Sequence, residues 1–475
     1  MKKEPFDPEE RFGVSFSTLK RILDLALLKG GEFSEVFLEY RIYNLINMEE
    51  DIIKETAESI SIGLGLRVVS GEKTGFGYTN NFEVENLERV ARTASSIAQG
   101  TREKASLPFH PSLPPKNFYP LKTLLNQEPL KKKISLVKRA YQSALRFDKK
   151  VKKVKTTYTE LLQYITILNS EGLLISDLRP LLKLTCVSIA ESDKTREAGY
   201  YGGGGRVGLE YFLTSLTPEE IGEEASREAL LLLEASPPPA GEMPVVLAAG
   251  ESGVLIHEAV GHLLEADFNR KKTSIFWNKM GKKVASSQVT IFDDPTIPFF
   301  RGSYNMDDEG TIPQKTILVE RGKMMGFLQD KLSSRLMGMP PTGHGRRQDY
   351  SSIPLPRMSN TYIAEGEFSP DEIISSVRKG FYAAKYQGGQ VEDSGKFTFS
   401  VSAGYLIEEG RLTAPVKQAT LIGSNIDILN KIEMVGSDLK FGLQTGTCSK
   451  EGQEIPVTDG CPTLKISSMT VGGRE

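Results

Sequence analysis

His257, Glu258 and His262 lie in the run from Val254 to Glu265, and the whole chain of 475 residues carries only four histidines. Two imidazoles can hold a divalent metal, and a carboxylate next to one of them can take a proton from water, which is the composition of a hydrolytic zinc site. The spacing sets a condition. On a regular α-helix, histidines five apart project about 140° from one another, whereas a spacing of four leaves about 40°. Both can face one metal only if the helix unwinds by one residue between them. Gly261, just before His262, is the natural place, because a single π-type turn brings five residues round to nearly one turn. Val254, Leu255, Ile256, Val260, Leu263 and Leu264 predict a helix buried on most sides, where a charged Glu258 needs a partner. The same residues would also serve a buried helix with two hydrogen-bonded histidines and a salt-bridged glutamate.

A catalytic metal usually keeps three protein ligands. Glu265 and Asp267 are near in sequence; His344, Cys448 and Cys461 are distant, and composition does not choose among them. Glu265, three residues after His262, could be a ligand or a carboxylate that orients one. Cys448 sits in a run of small residues, 446–453, where a thiolate could approach a metal. The segment Gly343–Arg347 is glycine-rich and cationic. Its His344 and Arg346 are candidates to bind a substrate carboxylate or an oxyanion, against the reading of a surface turn.

These segments resemble the TldD/PmbA family, on the TldD side. The resemblance is carried by 256–267 (Ile-His-Glu-Ala-Val-Gly-His-Leu-Leu-Glu-Ala-Asp), 341–347, 356–362, 388–391, 419–423, 434–439 and 462–473, and more loosely by 63–68 and 202–206. PmbA-type members lack the His-Glu…His signature, so its presence argues for the metal-bearing type. The resemblance implies a metallopeptidase of short or unfolded peptides. It carries the metal ligands over to His257, His262 and Cys448, with one zinc ion per chain, and the general base to Glu258; Cys461 is a bystander. It also implies a dimer, either of this chain with itself or with a metal-free PmbA-like sister chain, enclosing the site. Two rivals belong to other classes: a regulatory binding protein connected with DNA gyrase or toxin–antitoxin control, and a metal amidohydrolase acting on a bond other than a peptide.

The elements that must position these residues are legible in outline. The expected class is α+β: mixed α/β domains at 1–115 and 116–238, then a mainly antiparallel C-terminal domain at 239–475 carrying the metal helix. Proline-rich 107–120 and 236–241 mark the two boundaries. Helices are predicted at 17–28, 83–98, 129–147, 218–235 and 369–379. A hairpin is predicted to turn at Asn169–Gly172. Tyr200–Arg206 reads as a flexible glycine loop, a possible gate. Lys131–Lys155 holds eleven Lys or Arg against one acidic residue; this is read as a solvated face, so no nucleic-acid partner is expected. Net charge is −2, with three cysteines, which fits a reducing compartment. The charged N-terminus lacks a signal-peptide core, and no apolar run approaches a membrane span. A cytoplasmic location without membrane attachment is therefore expected.

Overall fold

The computed structural model describes residues 8–101, 104–193, 195–392 and 394–473. Residues 1–7, on which the reading of the extreme N-terminus falls, lie outside them. The class is α+β with antiparallel sheets, as expected. One seven-stranded sheet dominates the first half. Its order runs Lys73–Thr79, Ile52–Ser70, Phe33–Glu49, Val151–Asn169, Leu173–Glu191, and the last of these pairs both His110–Ser112 and Arg196–Gly205. Strands before and after the 107–120 linker therefore hydrogen-bond side by side, with Glu35–Glu49 antiparallel to Lys155–Asn169.

Helices cover this sheet because their apolar residues recur at helical spacing. Phe16–Leu27 is capped by Ser15, whose side chain accepts from the Thr18 amide, and buries Leu19, Ile22, Leu23 and Ala26. Pro218–Glu234 opens with a full capping box between Thr217 and Glu220 and with proline in its first turn; the box satisfies amides that the first turn leaves free, and proline there has no N–H to be satisfied. The lysine-rich stretch is the helix Leu130–Phe147 followed by a strand, and part of its charge is paired, Lys132 with Glu128, Lys133 with Glu160 and Arg139 with Glu219. The hairpin turns where predicted. Asn169 Oδ1 accepts from the amides of Glu171 and Leu173, and Gly172 takes φ +88°.

Two expectations are corrected. Residues 200–205 are not a loop but part of the strand Arg196–Gly205, paired with Leu182–Glu191. The glycines there allow close approach: a Cβ on Gly199 would come within 2.1 Å of Ala225 O, and one on Gly204 within 1.9 Å of Leu182 O. The helix expected at 369–379 covers only Pro370–Ser375, because the chain joins the strand Lys379–Val391.

In the C-terminal half, Arg411–Ser424, Lys396–Glu408, Lys379–Val391, Gly241–Leu247 and Leu464–Gly472 pair in turn, and the last pairs back to the first. The sheet thus closes into a barrel. A second sheet includes Ile291–Asp293, Asn360–Ile363 and Thr458–Cys461. A separate hairpin joins Thr447–Lys450 to Gln453–Pro456. The His257 segment lies in the core between these elements, where Leu255, Ile256, Ala259 and Val260 cluster with Phe381, Phe399 and Leu421. Buried ion pairs tie this half to the large sheet: Arg67 with Glu309, Arg347 with Glu35, and Arg179 with Asp308. Among the described residues no helix is long and apolar enough to cross a membrane.

Candidate metal centre

The segment bearing the histidines is one continuous helical path in three pitches: α-helical at Gly253–Ile256, π-helical at His257–Gly261 and 3-10 at His262–Leu264. The His262 amide donates to His257 O, five residues back. The unwinding required by the spacing of five is therefore present, and the two rings stand 5.0 Å apart, centroid to centroid. Glycine at 261 has a different reason from the one expected. Its φ is an ordinary helical −54°, but a Cβ there would lie 1.9 Å from the Sδ of Met358, a fully buried side chain.

The hairpin Thr447–Pro456 brings Cys448 to the same place. One ligand atom from each of His257, His262 and Cys448 lies within 4.8 Å of the other two, with Cys448 Sγ 3.3 Å from His262 Nε2. The other nitrogen of each ring faces a carboxylate. His257 Nδ1 is 2.8 Å from Asp459 Oδ1, and His262 Nδ1 is 3.2 Å from Glu265 Oε2. Such pairs fix the tautomer and aim Nε2 at the third member of the cluster. Glu265 is itself anchored by Lys450 Nζ at 3.0 Å, and Lys450 also holds Asp267 at 2.8 Å. Of the two nearby carboxylates weighed as ligands, one orients His262 and the other is paired with Lys450. Arg357, fully buried, donates to Cys448 O and fixes the backbone under the thiol.

The charges are coupled. Burial alone would raise the Cys448 thiol, but His257 and His262 outweigh it and hold it well below the ordinary thiol range. Burial alone would lower the imidazoles. Asp459 and Cys448 raise His257 well above the usual value, and Glu265 and Cys448 bring His262 up to about 10. A thiolate facing two imidazoles is the form that exchanges protons for a metal. Glu258 stands over the cluster with Oε2 4.0 Å from His262 Nε2, and burial raises its carboxyl against the pull of the two histidines. A cleft of about 180 Å³ bordered by Val254, Tyr386, Gly446 and Asp459 opens beside the segment.

Two imidazoles and a thiolate, each fixed by a buried partner, suit a borderline-soft divalent cation. His344 is not part of the cluster: it is fully buried, with Nε2 on Asp293 and Nδ1 on Thr342 Oγ1. Arg346 lines a different cavity and donates to Met358 O and Pro456 O. Cys461 is buried with its thiol on Pro462 O. Sequence reasoning missed Asp459, Lys450, Arg357 and Met358. Each acts across a long chain separation, 202 residues for the Asp459–His257 contact, with no local pattern to announce it.

A paired-imidazole and thiolate donor set with a carboxylate standing beside it is that of a metal-dependent hydrolase. The chain belongs to the PmbA/TldA metallopeptidase family: residues 34–98 match the model of its domain 1, 124–233 its central domain and 240–473 its C-terminal domain. It is similar to the metalloprotease TldD homolog of Haemophilus influenzae, 41% identical over 470 residues and 97% of each chain. A zinc metalloprotease TldD homolog of Saccharolobus solfataricus is 35% identical over 242 residues, 51% of this chain and 54% of that one. Among solved structures, TldE from Thermococcus kodakarensis shares the fold with a TM-score of 0.75 at 18% identity, covering 96% of this chain and all of that one. The protein is a metallopeptidase.

Proposed function

We propose that this chain is a zinc-dependent peptidase of short or unfolded peptides, with His257, His262 and Cys448 as the metal ligands and Glu258 as general base. The observation that carries the reading is the convergence of the three donor atoms within 4.8 Å, with the Glu258 carboxylate 4.0 Å from His262. Zinc, when bound, supplies Lewis-acid polarisation of a carbonyl and lowers the pKa of water. The chain's own residues do the rest. Asp459 and Glu265 hold the two imidazoles in the tautomer that presents Nε2. Glu258 takes a proton from the attacking water at its carboxylate and passes it to the leaving amine nitrogen. Its raised affinity for a proton suits both halves of that transfer.

The cleft beside Val254 and Gly446 suits an extended peptide held by main-chain hydrogen bonds, which selects for unfolded chains and little for side chains. Assembly as a homodimer, or with a PmbA-like sister chain, would enclose it; the family resemblance and the shared fold of TldE support this. Three free buried cysteines support a reducing, cytoplasmic location. The test is Glu258→Gln. It should retain metal and lose turnover by a factor on the order of 10² or more. Near-parental turnover would reject the mechanism.

A further inference from the structure

A cavity of about 330 Å³, within the size range of small-ligand pockets, lies between one face of the large sheet and the back of the Cys448 hairpin. Alternate residues along three neighbouring strands line it from the sheet, among them Arg41, Gln163, Arg179 and Lys183; Thr447 and Pro456 line it from the hairpin. Seven cationic side chains and three carboxylates border it, and the carboxylates are engaged or peripheral. Asp308 pairs with Arg179, Glu160 pairs with Lys133, and Glu454 is exposed at the rim.

Arg41 and Arg347 have carboxylate partners and Lys183 is only half-buried, so Arg206, Arg301 and Arg346 are left. They are 4%, 7% and 4% exposed, and among the described residues none has a carboxylate within ion-pair distance. Arg206 spends one amino group on Pro180 O, and its Nε has no hydrogen-bond partner among the described residues. Arg301 donates to Gly446 O and Thr447 Oγ1. Burial, with repulsion from neighbouring guanidiniums, brings both Arg206 and Arg301 down to about 10. Buried like charges without counter-ions are costly, and a guanidinium fork matches a carboxylate or phosphate group.

We propose that this cavity is an oxyanion site, taking a carboxylate or phosphate group between Arg206 and Arg301, with Arg346 and Lys183 adding positive charge. Thr447 faces it while Cys448, the next residue, faces the histidines. An anion seated here touches the ligand hairpin from behind, through the Arg301 contacts to Gly446 and Thr447. The inference does not depend on the peptidase reading, because its test reads binding.

The experiment is isothermal titration of the metal-loaded full chain, with Glu258→Gln as background so that peptides survive. The probes are inorganic phosphate, an N-acetylated alanine tetrapeptide with a free carboxylate, and the same peptide amidated. The expected result is saturable one-to-one binding of phosphate or of the free-carboxylate peptide, weakened on the order of tenfold or more by Arg206→Gln and by Arg301→Gln. Binding of phosphate alone assigns a free anion. Preference for the carboxylate peptide over its amide assigns a peptide end. Thermal melts check that the variants fold; should Arg301→Gln unfold, because it loses the bond to Gly446 O, Arg206→Gln decides. Absence of saturable binding by either anion, or parental affinity in the folded variants, would overturn the proposal.

Discussion

Alanine at position 261 should damage the protein at its centre, although alanine is the better helix former. In an open helix Gly→Ala gains up to about 1 kcal/mol. Here the added Cβ would sit 1.9 Å from Met358 Sδ, with Met358 Cγ and Cε both at 3.2 Å, against ordinary carbon contacts of about 3.5–4.0 Å. Something must move by roughly 1.5 Å or more. Met358 is fully buried among Leu255, Val260 and their neighbours, so it has little free space to enter, and its carbonyl is held by Arg346. Overpacking costs roughly 1–3 kcal/mol and a 1.9 Å approach belongs at the upper end, about 2–3 kcal/mol, so Gly261→Ala should come out destabilising by about 1–2 kcal/mol after the helix gain is subtracted. If the strain is instead relieved by straightening the π turn, His262 rotates away from His257 and metal is lost. Met358→Ala alone leaves a cavity and should cost roughly 2–5 kcal/mol. The double variant should be more stable than the sum of the single effects predicts, by about 1 kcal/mol or more, because each change makes room for the other. Urea denaturation of the four proteins gives the coupling, and metal content is read on the same samples. A neutral or stabilised Gly261→Ala with full metal, or strictly additive effects, would refute the claim that packing against Met358 dictates this glycine.

Three further outcomes are expected. Asp459→Asn should weaken metal binding by on the order of 10–100-fold, read by competition with a chelator, because Asp459 fixes the His257 ring; unchanged affinity would remove it from that role. Cys448 should resist alkylation while metal is bound and become reactive after chelation, whereas Cys186 and Cys461, both fully buried, should stay unlabelled in either state until the protein unfolds; equal labelling of Cys448 in both states, read by mass spectrometry, would deny it a ligand role. Away from the metal centre, burial drives the Glu39 carboxyl from an ordinary 4.5 up to about 7, against the help of Arg41 and Gln163. The folded state then binds this proton more tightly than the unfolded state, so the contribution is full below pH 4.5 and is lost as pH rises through 7, up to about 3 kcal/mol. The stability difference between parent and Glu39→Gln should drift in favour of the variant over that window, and a difference independent of pH would exclude the effect.

The parts of the fold set by local chemistry were legible in the sequence. The turn at Asn169–Gly172 and the π turn between His257 and His262 both depend on residues within five positions of one another. The glycines at 199–205 misled because their function is negative: they leave room for the helix Pro218–Glu234 and for the neighbouring strand, and a list of glycines looks the same in a loop. Cys448 came into view through resemblance, since spacing alone left it equal to Glu265, Asp267, His344 and Cys461. The structure separates them by partner. Lys450 takes the two nearby carboxylates, Asp293 takes His344, and Pro462 O takes Cys461. Those partners lie on other strands and hairpins, and only the folded sheets bring them into register.

The most direct measurement is zinc X-ray absorption of the purified, zinc-loaded chain beside Cys448→Ser. A site built from His257, His262 and Cys448 predicts one sulfur scatterer at about 2.3 Å and two imidazole nitrogens at about 2.0–2.1 Å, with the sulfur shell gone in the variant. A shell of nitrogen and oxygen alone in the parent protein, or an unchanged sulfur shell in Cys448→Ser, would contradict the proposed centre.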